Sequence, residues 1–363
     1  MDRRRAWIAA AIVLVLLLGG FVVARLLPRG SCARVSPPGG FQVRSAPPPG
    51  QPAVPTTSTT PGLVSRIERA FRSETGDAVF CGDFADPAVI RVGSSVYTYA
   101  TTTRGANIPV LRGGLDPRRA QYGDDALPRV ASWAVAGTAW APGVMQRGNG
   151  FVLYYAVSVR GLGRHCISVA TSRTPTGPFV DRSTAPLVCP TQLGGAIDPE
   201  PFVDADGRAY LLWKNDGNCC ELPVSLWSQL LTPDGLGVAA PPTRLLDADQ
   251  PWEAGVIENP AMVLDGGRHY LFFSGNAWNS ASYAIGYATC ASVAGPCTAR
   301  QGPWVTSVDG IAGPGGQSFF TDRDGRLVMV FHAWLDGRVG YPRGVRNLFA
   351  TEVRFVDGAP VIE

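Results

Sequence analysis

From residue 86 onward the chain repeats one short pattern five times. A short apolar run meets a polar turn carrying Gly or Asp-Gly, and a second run rich in Tyr, Phe, Leu and Val follows. The copies read "DPAVIRVGSSVYTYATT" from Asp86, "APGVMQRGNGFVLYYAV" from Ala141, "DPEPFVDADGRAYLLWK" from Asp198, "NPAMVLDGGRHYLFFSG" from Asn259 and "GQSFFTDRDGRLVMVFH" from Gly316. Their starts lie 55, 57, 61 and 57 residues apart. Two apolar runs around a Gly-containing turn predict a β-hairpin. After two of the hairpins, "SVATSRTPTGPF" from Ser168 and "IGYATCASVAGPC" from Ile285 predict a further strand ending in a Gly-Pro turn. Chance similarity explains one pair of copies but not five at even spacing, and radial repetition of such a unit builds a propeller. The expected fold is all-β, a five-bladed β-propeller with four strands per blade.

Ahead of the repeats the pattern changes. "MDRRR" is followed by 19 residues without a charge, "AWIAAAIVLVLLLGGFVVA". That is just long enough to span a bilayer, and the three arginines favour a cytoplasmic N-terminus. No clear small-x-small cleavage site precedes Cys32, so an uncleaved anchor is expected and secretion after signal cleavage is the alternative. Residues 33–62 are rich in Pro, Ser, Thr and Gly and cannot bury a core. The expected domains are therefore a basic stub and transmembrane signal anchor at 1–31, a linker at 32–75 and the propeller at 76–363, outside the cytoplasm. "LVSRIERAFRSE" from Leu63 predicts a short helix leading into it.

Composition narrows the picture. Gly 43 and Pro 31 in 363 residues supply many turns. The net charge of +3 carries no basic stripe with interleaved aromatics, which argues against nucleic acid as a partner. Lys214 is the single lysine, a scarcity that points to a GC-rich genome rather than to a mechanism. Eight cysteines in an exported chain suggest disulfides. Cys166 with Cys189, and Cys290 with Cys297, flank equivalent turns and are expected to pair locally; the partners of Cys32, Cys81, Cys219 and Cys220 stay open. Zinc is not expected, since there is no CxxC pair and His165, His269 and His332 lack ligand spacing.

Three acids occupy near-identical settings: Asp86 in "FADPAVI", Asp198 in "AIDPEPFV" and Glu258 in "VIENPAMV". Repeats arranged round an axis bring such positions together, which is one way to build acid/base chemistry on a sugar bond. A lone Asp-Pro is more often a turn cap, and Ala141 and Asn259 fill equivalent slots without being acids, so the position also has a structural job. Glu200 and Asp204 read as strand and turn residues.

"DFADPAVI", "TAWAPGV", "GAIDPEPFVDADGRAYLLW", "VIENPAMV", "YAIGYATC" and "GPGGQSFF" together resemble glycoside hydrolase family 43, over roughly residues 80–357. The resemblance implies an inverting enzyme acting on arabinofuranosides and xylosides, with no required cofactor. It matches Asp86 to the general base, Glu258 to the general acid and Asp198 to the residue that tunes and orients the acid. Inversion needs one ionised carboxylate to activate water and one protonated carboxyl to release the leaving oxygen, about 6.5–9.5 Å apart. Asp198 is expected to raise the pKa of Glu258. By the same resemblance Trp140 and Phe84 are candidate sugar-stacking walls and Arg346 a substrate-binding arginine. Asn276 and Trp278 border the pocket, and His332 faces either the central channel, near a water or metal ion, or the core. Gly316 stands where many relatives carry a histidine near a central calcium, which lowers the expectation of that ion. Segment 104–139, with "NIPVLRGG" and "YGDDALP", is expected over the pocket mouth. The expected partner is an oligo- or polysaccharide containing arabinofuranose or xylose, with α-L-arabinofuranosidase ahead of β-xylosidase. Endo-arabinanase, galactofuranosidase and a non-catalytic carbohydrate-binding propeller are the alternatives. A retaining fructosidase fits poorly, because Phe84 and Ala85, not Asn, precede Asp86 and Asn259, not Cys-Pro, follows Glu258.

Overall fold

The computed structural model describes residues 78–103, 105–113, 121–308, 310–335 and 337–362. The expected anchor, linker and short helix fall outside these residues. Among the described residues the secondary structure is β-strand with three short 3-10 turns and no α-helix.

Five antiparallel sheets follow one another along the chain. The first blade is β1 (Ala88–Val92), β2 (Ser95–Tyr99), β3 (Pro109–Arg112) and β4 (Gln121–Asp125). The second is β5 (Trp140–Arg147), β6 (Gly150–Ser158) and β7 (His165–Ser172). The third is β8 (Ala196–Val203), β9 (Ala209–Asn215), β10 (Ser225–Leu230) and β11 (Thr243–Asp247). The fourth is β12 (Ile257–Asp265), β13 (Arg268–Gly275), β14 (Ala284–Cys290) and β15 (Cys297–Ala299). The fifth is β16 (Ile311–Thr321), β17 (Leu327–Leu335), β18 (Asn347–Val356) and β19 (Ala359–Ile362). The hairpins form where the pattern places them. Between β12 and β13, Asp265 pairs with Arg268 across Gly266 and Gly267, both at positive φ, the backbone that a two-residue hairpin turn requires.

Each blade buries both faces against its neighbours, which is why second strands such as "AYLLWKN" are buried at every position. Five apolar clusters fill the five gaps between blades. The fifth gap closes the ring through the N-terminal residues. The Val79 and Phe84 N–H groups donate to the Leu348 and Arg346 carbonyls, and the Leu348 N–H donates to the Phe80 carbonyl.

Two expectations are corrected. The second blade has three strands, not four. The chain after β7 carries Pro175, Pro178, Pro186 and Pro190, which lack the N–H a ladder needs. Its backbone pairs with β7 through isolated bridges at Val180 and Val188, with the Cys166–Cys189 disulfide and hydrogen bonds linking Ser168 with Asp181 and Ser183 beside them. No described residue of segment 104–139 lines the cavity: β3 and β4 within it form the outer half of the first blade, and Asp125 ties its turn by accepting from the Asn107, Ile108 and Leu127 N–H groups.

The repeat has a common backbone signature. Asp86, Ala141, Asp198, Asn259 and Gly316 have φ of 49°, 40°, 56°, 50° and 61°. In the last four blades the pairing with the second strand slips at this point. The left-handed residue with its bulge turns the first strand of each blade inward at its head. At Gly316 space adds to the demand: a Cβ there would sit 2.6 Å from His332 Nδ1 and 3.1 Å from the Asp86 Cα. Gly93 has similar φ, +58°, but open space around it. Gly93→Ala is expected to cost about 1 kcal/mol from backbone strain, and Gly316→Ala about 1–3 kcal/mol more from overpacking. Urea denaturation of both variants checks this; equal losses would mean that His332 yields freely.

Candidate active site

The five left-handed residues line one cavity on the propeller axis, together with Pro87, Pro142, Pro199 and Pro260. The side chains of Asp86, Asp198 and Glu258 are thus presented from the first, third and fourth blades. The three carboxyls stand in different electrostatic settings.

Asp86 is held by cation and hydroxyl. Arg346 Nη1 lies 3.2 and 3.4 Å from its two oxygens, and Thr101 donates to Oδ2 at 2.7 Å. Thr101 Oγ1 in turn accepts the Ala141 N–H at 2.9 Å, tying the second blade to the same carboxylate. The Asp86 N–H donates to His332 Nδ1 at 3.0 Å. The Arg346 guanidinium lies over Trp278, 4.7 Å from the ring centroid, and 5.9 Å from that of Tyr341. Burial opposes the arginine's charge, but Asp86, Tyr341 and Asp83 together outweigh it and hold the group protonated.

Asp198 and Glu258 form a second, buried group, 9% and 8% exposed. Asp198 Oδ2 accepts the Asn259 N–H at 2.9 Å. Lys214 Nζ is 2.7 Å from Glu258 Oε2, with the lysine fully buried. Tyr283 Oη is 2.7 Å from Glu258 Oε1 and 2.8 Å from Asn259 Oδ1. Burial first, then the charge of Glu258, pushes Asp198 up to about 8, with Lys214 opposing. Here the charge of Glu258 acts on Asp198, whereas the resemblance implies that Asp198 acts on Glu258. Burial also raises Asp216, with Lys214 opposing. Burial disfavours the Lys214 ammonium, but Glu258, Asp198 and Asp216 more than compensate.

The other expected residues divide. Trp140 is half-buried next to cavity-lining Ala141, its ring stacked on His165 at 3.6 Å between centroids. Arg346 and Trp278 meet at Asp86. Phe84 is corrected: fully buried in the cluster that closes the ring, it has no free face for a sugar. His332 is fully buried and spends Nδ1 on the Asp86 backbone, so it supports an acid rather than touching substrate. Burial and then Arg346 hold its pKa well below the ordinary value, and as an acceptor at Nδ1 it carries its proton on Nε2. Asn276 is also corrected. Its amide donates to the Trp252 carbonyl at 2.9 Å and its oxygen accepts the Ala277 N–H at 2.8 Å, stabilising its own turn at φ 78°. Thr101, Lys214 and Tyr283 lie inside the repeats and motifs, which do not single them out as site residues, and Tyr341 lies outside them.

Glu200 lines the cavity, with Ser318 Oγ at 3.2 Å, and burial pushes it up to about 8. Asp204 pairs with His269 at 2.9 Å beside its hairpin turn, a structural use. Cys166–Cys189 and Cys290–Cys297 are paired, and Cys219 is bonded to the adjacent Cys220. Among the described residues no group of three or more His, Cys, Asp or Glu is placed to hold a metal. A side chain at position 316 would run into the His332 ring.

One pH dependence follows. The native state keeps a proton on Asp198 up to about 8, whereas an unperturbed aspartate has a pKa of 3.8. Between those values the folded protein binds more protons than the unfolded chain, so this group makes stability fall as pH rises. Asp198→Asn removes this dependence and can still accept the Asn259 N–H. The variant is expected to gain stability relative to wild type between pH 4 and 8, read from urea midpoints across that range. Parallel curves for the two proteins would contradict the shift.

Comparison with known proteins agrees with this architecture. The family model Glycosyl hydrolases family 43 matches residues 76–360. A β-D-galactofuranosidase of Aspergillus niger is 28% identical over 212 residues, covering 55% of this chain and 58% of that protein. The arabinan endo-1,5-alpha-L-arabinosidase B of Emericella nidulans is 26% identical over 337 residues, covering 76% and 82%. The crystal structure of a thermostable family-43 glycoside hydrolase superposes with a TM-score of 0.68 at 26% identity, covering 77% of this chain and 93% of that one. A five-bladed all-β propeller with clustered axial carboxyls, matched by the family model over nearly all its length, makes this chain a glycosidase of glycosyl hydrolases family 43.

Proposed function

We propose that the chain is an extracytoplasmic inverting glycosidase that cleaves pentosyl linkages, α-L-arabinofuranosides ahead of β-xylosides. Asp86 is the general base, Glu258 the general acid, and Asp198 the residue that keeps a proton in the acid pair and orients it. The observation that carries this reading is the contrast between the carboxyls: Asp86 is paired with Arg346, while the Asp198–Glu258 pair is buried around a retained proton. Neighbouring groups that push titrations apart mark an acid and a base.

The steps balance without a cofactor. Asp86 takes a proton from water as the water oxygen attacks the anomeric carbon. The bond to the leaving oxygen breaks, its electron pair stays on that oxygen, and Glu258 supplies the proton. Tyr283 donates to Glu258 Oε1 and also lies 2.8 Å from Asn259 Oδ1, which orients the Glu258 carboxyl. Half-buried Trp140 and Trp278 supply aromatic faces near the cavity for a sugar ring.

The Emericella relative is named for arabinan and the Aspergillus relative for galactofuranose. Both names concern five-membered sugar rings, which supports furanosides as the substrate class and keeps galactofuranose as a second reading. Residues 1–31 as a membrane anchor and 32–75 as a tether would hold the enzyme at the cell surface, where a wall or environmental polysaccharide is in reach.

The test is hydrolysis by the full-length protein of p-nitrophenyl arabinofuranosides, xylosides and galactofuranosides, with arabinan alongside. Release from one glycoside is expected. Asp86→Asn and Glu258→Gln are each expected to lose at least about a hundredfold in kcat without unfolding. Near-normal turnover in either variant removes that residue from its role. Binding without release by the wild type would favour the non-catalytic reading.

A further inference from the structure

The mechanism above leaves one buried charge without a task. Lys214 lies near the end of β9, in a strand buried along its whole length, and it is the chain's single lysine. An ammonium removed from water costs several kcal/mol unless it is well paired, and buried ion pairs are often replaceable by apolar groups without loss of stability. Lys214 is aimed at one place, Glu258 Oε2 at 2.7 Å. The other groups facing this cluster are Asp198, Asp216, Tyr283 and Asp86, with Arg164 beyond Asp216 and Arg346 beyond Asp86.

Counting charges defines the problem. Asp86, Asp198, Asp216 and Glu258 are four carboxyls served closely by two cations, Arg346 and Lys214. Arg346 is engaged by Asp86. Lys214 therefore balances a single negative charge within the remaining three carboxyls. It stands on one oxygen of Glu258 while Tyr283 stands on the other, so the carboxyl is held from both sides.

We propose that Lys214 is the positioning residue of the acid arm, fixing the Glu258 carboxyl and stabilising the negative charge left there when its proton passes to the leaving oxygen. This rests on the glycosidase reading and adds to it. At the start of the reaction the proton is on Glu258 and the lysine is matched by its other carboxylate neighbours. As the glycosidic bond breaks, the proton moves to the leaving oxygen and Glu258 becomes a carboxylate already paired with the ammonium. The charge developing on Glu258 thus meets a cation in place. Asp86, protonated by the attacking water, returns its proton to solvent, and Glu258 takes one back.

The role predicts a dependence on the leaving group. An alkyl alcohol needs the proton, whereas 2,4-dinitrophenolate leaves without it. Lys214→Met keeps the length and removes the charge. In the full-length protein its loss in kcat is expected to be at least about tenfold greater on an alkyl glycoside than on the dinitrophenyl glycoside of the same sugar. The alkaline limb of its kcat/KM profile is expected to move up by about one pH unit or more, because the acid pair holds its proton more tightly without the ammonium. Equal losses on both substrates with an unmoved limb would overturn the proposal and leave Lys214 a packing residue.

Should Lys214→Met fail to fold, the wild type supplies the answer. Lysine-selective 15N labelling gives one side-chain signal, since there is one lysine. That signal is expected to shift at the pH of the alkaline limb, and Glu258→Gln is expected to lose the step. A flat titration in the wild type overturns the proposal. A wild type inert on both glycosides instead sinks the glycosidase reading, and this proposal with it.

Discussion

The structure depends on one backbone constraint, the left-handed residue at the head of each innermost strand. That conformation costs an L-residue about 1–2 kcal/mol, and the fold accepts it in four of five blades without glycine. The bend presents the head of every blade to the axis, so the residue that stands there lines the common cavity. Two of the five positions use this for an aspartate, and a third places Glu258 one step earlier. Ala141, at φ 40°, has the geometry without the chemistry. Architecture and reactivity are therefore separable: the turn makes the ring, and the residue placed on it decides what the ring does.

Within that frame, charge is arranged by scarcity. Two buried cations serve four carboxyls, and burial, with the charge of Glu258 added to it, keeps a proton on Asp198 at a pH where exposed acids have lost theirs. Arg346 is stiffened by Trp278 and Tyr341, and Tyr341 is itself anchored on Asp83. Lys214 has no aromatic sleeve; its strand encloses it instead. A planar cation on a stacked shelf and a point charge in an apolar strand suit different duties, the first a geometry that persists and the second a charge that changes partners.

Much of this was legible in the sequence, and the misses have physical reasons. The blades followed from hairpin periodicity, and the acids from their fixed place in the repeat. The fourth strand of blade two was lost because the prolines after β7 interrupt the ladder, which a count of repeats ignores. Phe84 and Asn276 were misplaced for one reason: adjacency in sequence to a cavity residue says nothing about which way a side chain leaves the backbone. Phe84 turns into the ring-closing core and Asn276 into its own turn. Thr101 and Tyr283 stand 15 and 25 residues from the acids they meet, and Tyr341 reaches Asp83 from the far end of the chain; a repeat pattern does not say which of its side chains converge. Lys214 did leave a signal, a lone lysine inside "YLLWKN", but rarity alone reads as a codon effect until the strand is known to be buried.

The seam of the ring carries a mechanical consequence. Among the described residues no strand is shared between the first and fifth blades; residues 79–84 lie beside the start of β18 and close the circle by a few backbone hydrogen bonds. The chain enters the ring at that seam, a short distance from Asp86, and Arg346 lies on the opposite lip. A pull from the N-terminal side would load this joint before any other blade, in the same place where Asp86 and Arg346 meet. The entry of the chain, the clasp of the ring and one cavity carboxyl are thus one piece of structure, and strain in one is felt by the others.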